Sequence, residues 1–144
     1  MDIFTHAAVG AATGAAFGRP VLGALVAMLP DLGYMLHANF LERLRVPPKV
    51  YDFGHSLLFV LLASLLAWAL FDGGTAAVVG LALLSHLWLD IPTHGPTWGV
   101  RLLYPLQWRY GWGVEWEFFN RSWAEGFVWG LAWLAIVYSA EAFY

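Results

Sequence analysis

Cysteine is absent from this 144-residue chain. Disulfides and thiolate-held metals are therefore excluded, and any metal must rest on His, Asp or Glu. Charge is scarce as well: 12% of the residues are charged and 60% are hydrophobic, against about 25% charged in ordinary soluble domains. A soluble domain this small needs charge to cover its exterior, so much of this surface is expected to face lipid. The net charge of −3 supplies no basic field for nucleic acid. Met1-Asp2-Ile3-Phe4-Thr5-His6 lacks the basic run of a cleaved signal peptide. With no long repeat and no low-complexity stretch, the length predicts a single membrane-embedded helical domain over residues 1–144.

Hydrophobic runs and breakers predict an all-α integral membrane bundle of about five helices, the first two short. The first covers about Ile3 to Phe17. Gly10, Gly14 and Gly18 recur along it every four residues, leaving a face of nearly bare backbone that lets a neighbouring helix approach closely. Arg19-Pro20 breaks the chain, and Pro20 suits the first turn of a second helix, about Val21 to Leu36, which Pro30 should kink or end. A third helix is expected from about Tyr51 to Phe71, a turn at Asp72-Gly73-Gly74, and a fourth from about Thr75 to Ile91, stopped by Pro92. An aromatic segment, 93–121, leads to a last helix over about Trp123 to Phe143. The 39–49 loop and the 93–121 segment share one side and together hold six of the seven Lys/Arg residues. By the positive-inside rule that side, with the N-terminus, is cytoplasmic. The nine Trp are expected as interfacial anchors.

Polar groups inside such a bundle need a partner or a task, because each costs a few kcal/mol or more in hydrocarbon. His86 and Asp90, four apart, stack on one helix face, and Pro92 takes His94 out of helical register so that it can fold back. Alone, this pair is explained equally well by an i,i+4 hydrogen bond. The other groups decide the matter. His6 starts the first helix, Asp31 ends the second, His55 opens the third, and His86 and Asp90 close the fourth. All six groups then share one level near the cytoplasmic face, while His37 lies beyond it as a solvated residue. Imidazoles and carboxylates without thiolate suit zinc, with manganese or iron as alternatives. Six donors exceed one structural site and fit two ions sharing a carboxylate, with Asp90 the natural bridge.

At these residues the sequence resembles the membrane-bound, metal-dependent hydrolase family, the YdjM-like, LexA-regulated inner-membrane hydrolases. The matching pieces are Thr5-His6, Leu29-Pro30-Asp31, Gly54-His55-Ser56-Leu57, Ser85-His86 with Asp90, Thr93 and Gly95, and Leu103-Tyr104-Pro105 on to Trp108-Arg109. They cover the chain from its start to about residue 110. The family is in turn distantly similar to zinc-dependent phospholipase C and its nuclease relatives, whose ligands follow a similar order. That likeness implies phosphoester hydrolysis at a multinuclear zinc centre held by His6, Asp31, His55, His86, Asp90 and His94. Family members often carry a His-Arg pair where Val50-Tyr51 stands, so Arg101 or Arg109 is expected to meet the phosphate instead. No histidine follows His94, only Glu115, Glu117 and Glu125, so at most two ions are expected.

The leading expectation is thus a hydrolase of the bacterial inner membrane acting on a lipid or lipid-linked phosphoester. Asp31 and Asp90 form its catalytic core, and Asp31, Asp52 and Glu117 are its acid/base candidates. A metal or proton carrier, or a non-catalytic metal-binding membrane protein, is the competing class; a carrier needs a second polar layer, and the far side offers only Arg19, Asp72 and Glu141. A b-type haem on His55 and His86 would leave both aspartates unexplained. The small-residue faces are compatible with a homo-oligomer.

Overall fold

A computed structural model of the chain describes residues 3–38, 49–112 and 122–141. The segment 39–48 with Arg43 and Arg45, the segment 113–121 with Glu115, Glu117 and Arg121, and the side chains of His37 and Glu125 lie outside the described residues. The described residues are helical, with no strand beyond one isolated bridge. Six helices follow in order: α1 (Ile3–Ala15), α2 (Pro20–Ala38), α3 (Lys49–Gly54), α4 (Leu57–Leu70), α5 (Gly73–Thr93) and α6 (Ser122–Glu141).

Glycine sets the first hairpin. A Cβ on Gly10 would lie 2.4 Å from Ala27 Cβ, and one on Gly23 would lie 2.1 Å from the Gly10 carbonyl oxygen. Only bare backbone permits α1 and α2 to meet this closely. Gly18, the third residue of the expected series, has a different task. At φ +68° it is the left-handed residue that ends α1, with Gly18 N–H on the Ala15 carbonyl at 3.0 Å and Arg19 N–H on Gly14 at 2.8 Å. Nothing lies within 4 Å of a Cβ there. Gly18→Ala is therefore expected to cost only the left-handed strain, about 1–2 kcal/mol, read as a lower unfolding midpoint in detergent with metal binding unchanged.

The second hairpin, α4–α5, lies beside the first, and α5 packs against α1, α2, α4 and α6. The expected third helix is in fact two. His55 closes α3 through its N–H on the Tyr51 carbonyl at 2.9 Å, and Ser56 is extended (φ −135°, ψ 153°). Ser56 then caps α4 by accepting from Phe59 N–H at 3.2 Å. The Leu57 N–H finds the Leu102 carbonyl at 3.0 Å, so the following loop also serves this helix start. At 14 residues, α4 is about 21 Å long, short of the roughly 30 Å of a hydrocarbon core. α2, by contrast, is not ended by Pro30 and runs through it to Ala38, and α5 includes Pro92. Neighbouring elements at membrane depth tolerate such prolines; here Gly54 brings α3 against Pro30.

At the end of the bundle away from His6, the two hairpin turns are tied together. Asp72 caps α5 by accepting from Thr75 N–H at 2.7 Å, and Arg19 Nη2 pairs with Asp72 at 3.2 Å while Nη1 donates to Thr75. The Thr75 N–H, then its hydroxyl, then Arg19 hold the Asp72 carboxyl below the usual carboxylate range.

Among the described residues, α5 is the one helix long and apolar enough to cross a membrane, and Pro20–Leu32, Leu57–Leu70 and Gly126–Ser139 are shorter apolar stretches. Their outward faces are greasy: Val21 and Leu25 on α2, Leu61, Leu62, Leu65 and Leu66 on α4, and Phe127, Val128 and Leu131 on α6 are all exposed. Water would penalise such a surface, and lipid does not. The tryptophans divide. Trp68, Trp108 and Trp112 are exposed, as anchors require. Trp88 instead packs with Trp129 and Trp133, and Trp133 donates to Thr13 at 3.0 Å, so these hold α6 to the bundle.

Candidate metal centre

The antiparallel hairpins fix where the polar side chains fall. α1 starts and α2 runs out at the end of the bundle where α3 breaks into α4 and where α5 finishes. His6, Asp31, His55, His86, Asp90 and His94 meet there. Four of them, His6, His55, His86 and Asp90, have no exposure, while His94 keeps 13% and Asp31 15% of its side chain open.

The two oxygens of Asp90 face different imidazoles. Oδ2 lies 3.0 Å from His86 Nε2 and 3.2 Å from His55 Nε2. Oδ1 lies 3.1 Å from His6 Nε2 and 3.5 Å from His94 Nε2. Asp31 divides in the same way, with Oδ1 at 3.5 Å from His55 and 3.9 Å from His86, and Oδ2 at 3.8 Å from His6. One donor atom each from Asp31, His55, His86 and Asp90 falls within 4.8 Å of the others.

Hydrogen bonds behind the rings decide what these atoms are. His86 Nδ1 meets the Ala27 carbonyl at 2.7 Å, and His55 Nδ1 meets the Tyr51 carbonyl at 2.9 Å. A carbonyl only accepts, so both rings carry a proton on Nδ1. Their Nε2 atoms nevertheless lie 3.0 Å apart. Two lone pairs cannot bond to one another, and the nearest other groups are carboxylate oxygens. This convergence of acceptors is relieved only by a positive charge between them. Backbone carbonyls behind metal-binding imidazoles are the usual means of fixing ring and tautomer. Tyr51 O, in α3, accepts from both His55 N–H and His55 Nδ1 at 2.9 Å, using both carbonyl lone pairs, and Ala27 O is presented from α2.

A metal fits this geometry. Tetrahedral zinc with bonds of about 2.0–2.1 Å has ligand-to-ligand edges of roughly 3.3 Å; the five distances of the His55–His86 set run from 3.0 to 3.9 Å. The donor set, nitrogen and oxygen with no sulfur, is of the zinc, manganese or iron kind. His6 stacks on His86 with ring centroids 3.8 Å apart, and its buried Nδ1 meets no hydrogen-bond partner among the described residues.

Over residues 1–143 the chain matches the family model described as YdjM inner membrane protein. The chain belongs to the YdjM inner membrane protein family. No curated protein and no solved structure matches it. Membership agrees with the greasy exterior and places this YdjM-family chain in the inner membrane, with a buried His/Asp group able to hold a metal ion.

The two arginines expected to meet phosphate, Arg101 and Arg109, share one carboxylate. Arg101 Nη1 sits 2.9 Å from Asp52 Oδ2, and Arg109 Nη2 sits 2.8 Å from Asp52 Oδ1. Asp52, nearly buried, is thereby taken up as their shared counter-ion rather than open to act as an acid or base. The pairing joins α3 to a segment some 50 residues later, and a single sequence carries no sign of it.

Proposed function

We propose that this YdjM-family chain is a metal-dependent hydrolase that cleaves a phosphoester in a lipid or lipid-linked substrate. In this reading its centre holds two zinc-type ions on the cytoplasmic side of the membrane. The observation that carries it is the division of Asp90: Oδ2 turned to His55 and His86, Oδ1 to His6 and His94. Asp31 would complete both sets, giving two imidazoles and two carboxylate oxygens to each ion. Bound there, a pair of divalent ions supplies a water activated at neutral pH and charge stabilisation for a phosphoryl oxygen. The chain's own groups set the rest. Asp31 and His94 form the open edge, so substrate approaches past them. Leu57 and Leu58, exposed at the start of α4 immediately after His55-Ser56, would put acyl chains beside the centre and a headgroup at its mouth. The clustering of Lys49, Arg101 and Arg109 at this end supports a cytoplasmic N-terminus.

One proton could also bridge His55 and His86, which favours a proton or metal carrier as the second reading. Against it, among the described residues the buried polar side chains of α1 and α5 outside the centre are the hydroxyls of Thr13, Thr75, Ser85 and Thr93, with no second carboxylate or imidazole to carry an ion across. The two readings separate in one preparation. Protein reconstituted in nanodiscs should contain about two zinc per chain and should turn over a member of a phospholipid or prenyl-phosphate panel, with loss on chelation. Full zinc occupancy with no turnover across the panel counts against hydrolysis, and zinc flux into proteoliposomes would install the carrier.

A further inference from the structure

We propose that Tyr51 is a positioning residue that ties the two halves of the donor set together, setting His55 through its ring and carbonyl and His94 through its hydroxyl. The inference rests on the two-ion reading and adds to it a residue that is no ligand. Tyr51 is 2% exposed on α3. Its ring stacks on His55, centroids 3.8 Å apart at 23°, and its carbonyl accepts from His55 Nδ1 at 2.9 Å. On the other side its hydroxyl donates to the Trp98 carbonyl at 2.9 Å, and the same oxygen lies 3.4 Å from His94 Nδ1.

The hydroxyl settles the state of His94. Its proton is directed to Trp98, so toward His94 the phenolic oxygen offers a lone pair. The second neighbour of His94 Nδ1, the Trp98 carbonyl at 3.4 Å, also only accepts. Both neighbours thus favour a proton on Nδ1, which turns the Nε2 lone pair to Asp90 Oδ1. This is the arrangement already found at His55 and His86. Three imidazoles thus point bare nitrogens at two carboxylates, and Tyr51 stands behind two of the three.

Tyr51 is itself held from the next position. Asp52 takes Arg101 and Arg109, and Arg109 Nη1 donates to the Gly99 carbonyl at 3.1 Å. Val100 and Tyr110 exchange backbone hydrogen bonds at 2.8 and 2.9 Å. The loop bearing Trp98 is closed on itself and pinned to α3. The dipeptide Tyr51-Asp52 acts as a strut between the helix break that carries His55 and the loop that follows His94.

The test uses cobalt(II) on the metal-free, full-length protein in detergent, following bound metal by equilibrium dialysis and ligand-field absorption. Wild type should take two Co2+. Tyr51→Phe keeps the ring stack and the carbonyl and removes only the hydroxyl. It should bind the first Co2+ as wild type does and the second about tenfold more weakly or worse, the usual cost of losing a group behind a ligand. Asp52→Asn, which loosens the loop while leaving Tyr51 and every donor in place, should weaken the same step. A residue of merely structural importance would move both steps together, and that result, or no change in either, overturns the strut. A single Co2+ in wild type overturns the two-ion reading and the strut with it. Two in wild type with an unaltered second step in both variants overturns the strut alone.

Discussion

Asp90→Asn is expected to leave the protein helical and empty of metal, with affinity down by at least about 100-fold. Asparagine keeps the shape but presents one oxygen instead of two, and its amide NH2 must face one of the two imidazole pairs. Whichever pair it faces loses an acceptor and gains a donor. Hydrolysis, where detectable, should vanish with the metal. The sign of the stability change is the more discriminating part. A metal occupied at 1,000 times its dissociation constant adds about 4 kcal/mol to the folded state, so chelation should lower the unfolding temperature of wild type and leave that of Asp90→Asn unmoved. Without metal the order should reverse: a carboxylate with no exposure costs several kcal/mol to bury, and the amide does not. Thermal unfolding of both proteins with and without chelator gives all four values. A metal-free wild type more stable than metal-free Asp90→Asn would mean that protons on the histidines, and no awaited cation, satisfy the carboxylate.

The placement of Asp90 shows how much of this centre a sequence discloses. His6, Asp31, His55, His86 and Asp90 each fall near the end of a hydrophobic run, and alternation of direction along the chain is enough to bring such ends to one side. The i,i+4 spacing of His86 and Asp90 adds local geometry, whereas the expected stop at Pro92 does not occur: α5 runs on to Thr93 and His94 caps it with its N–H on the Asp90 carbonyl at 2.9 Å. What stayed hidden is what packing decides. The expected 21-residue helix from Tyr51 is interrupted at His55-Ser56; the apolar run begins only at Leu57, after Asp52, Gly54, His55 and a serine able to cap it. That interruption matters, because it sets His55 at the junction, where both its N–H and its ring Nδ1 meet the Tyr51 carbonyl. Pro30, expected to kink or end the second helix, does not end it: α2 runs through to Ala38, with Gly54 of α3 against the proline. Arg101 and Arg109 look like phosphate ligands in a sequence, and only folding reveals Asp52 between them. The role of Gly23 is not legible in the sequence, because its partners, Gly10 and Gly14, lie on the preceding helix, and no period within one helix reveals a contact between two.

Gly23→Ala is the substitution outside the centre from which the largest loss is expected. The new methyl would stand 2.1 Å from the Gly10 carbonyl oxygen and 2.9 Å from Gly14 Cα and N. These are backbone atoms with no rotamer to yield, so α1 and α2 must part by about 1.4 Å to restore ordinary contact near 3.5 Å. Overpacking typically costs 1–3 kcal/mol, and backbone against backbone puts this site at or beyond the upper end. The centre cannot ignore that movement. α1 carries His6, α2 carries Asp31, and α2 also presents the Ala27 carbonyl that orients His86. A displacement of 1 Å among reacting groups lowers rates by about 100-fold, so Gly23→Ala should lose both stability and metal although it touches no ligand. Gly73→Ala supplies the control. A Cβ there meets nothing within 4 Å in the first turn of α5, and with less chain entropy to lose it should be neutral or stabilising by up to about 1 kcal/mol. Unfolding midpoints and zinc content for the two variants side by side would decide the point: a Gly23→Ala protein matching Gly73→Ala in both would mean that the close approach of α1 to α2 does not hold the donors in place.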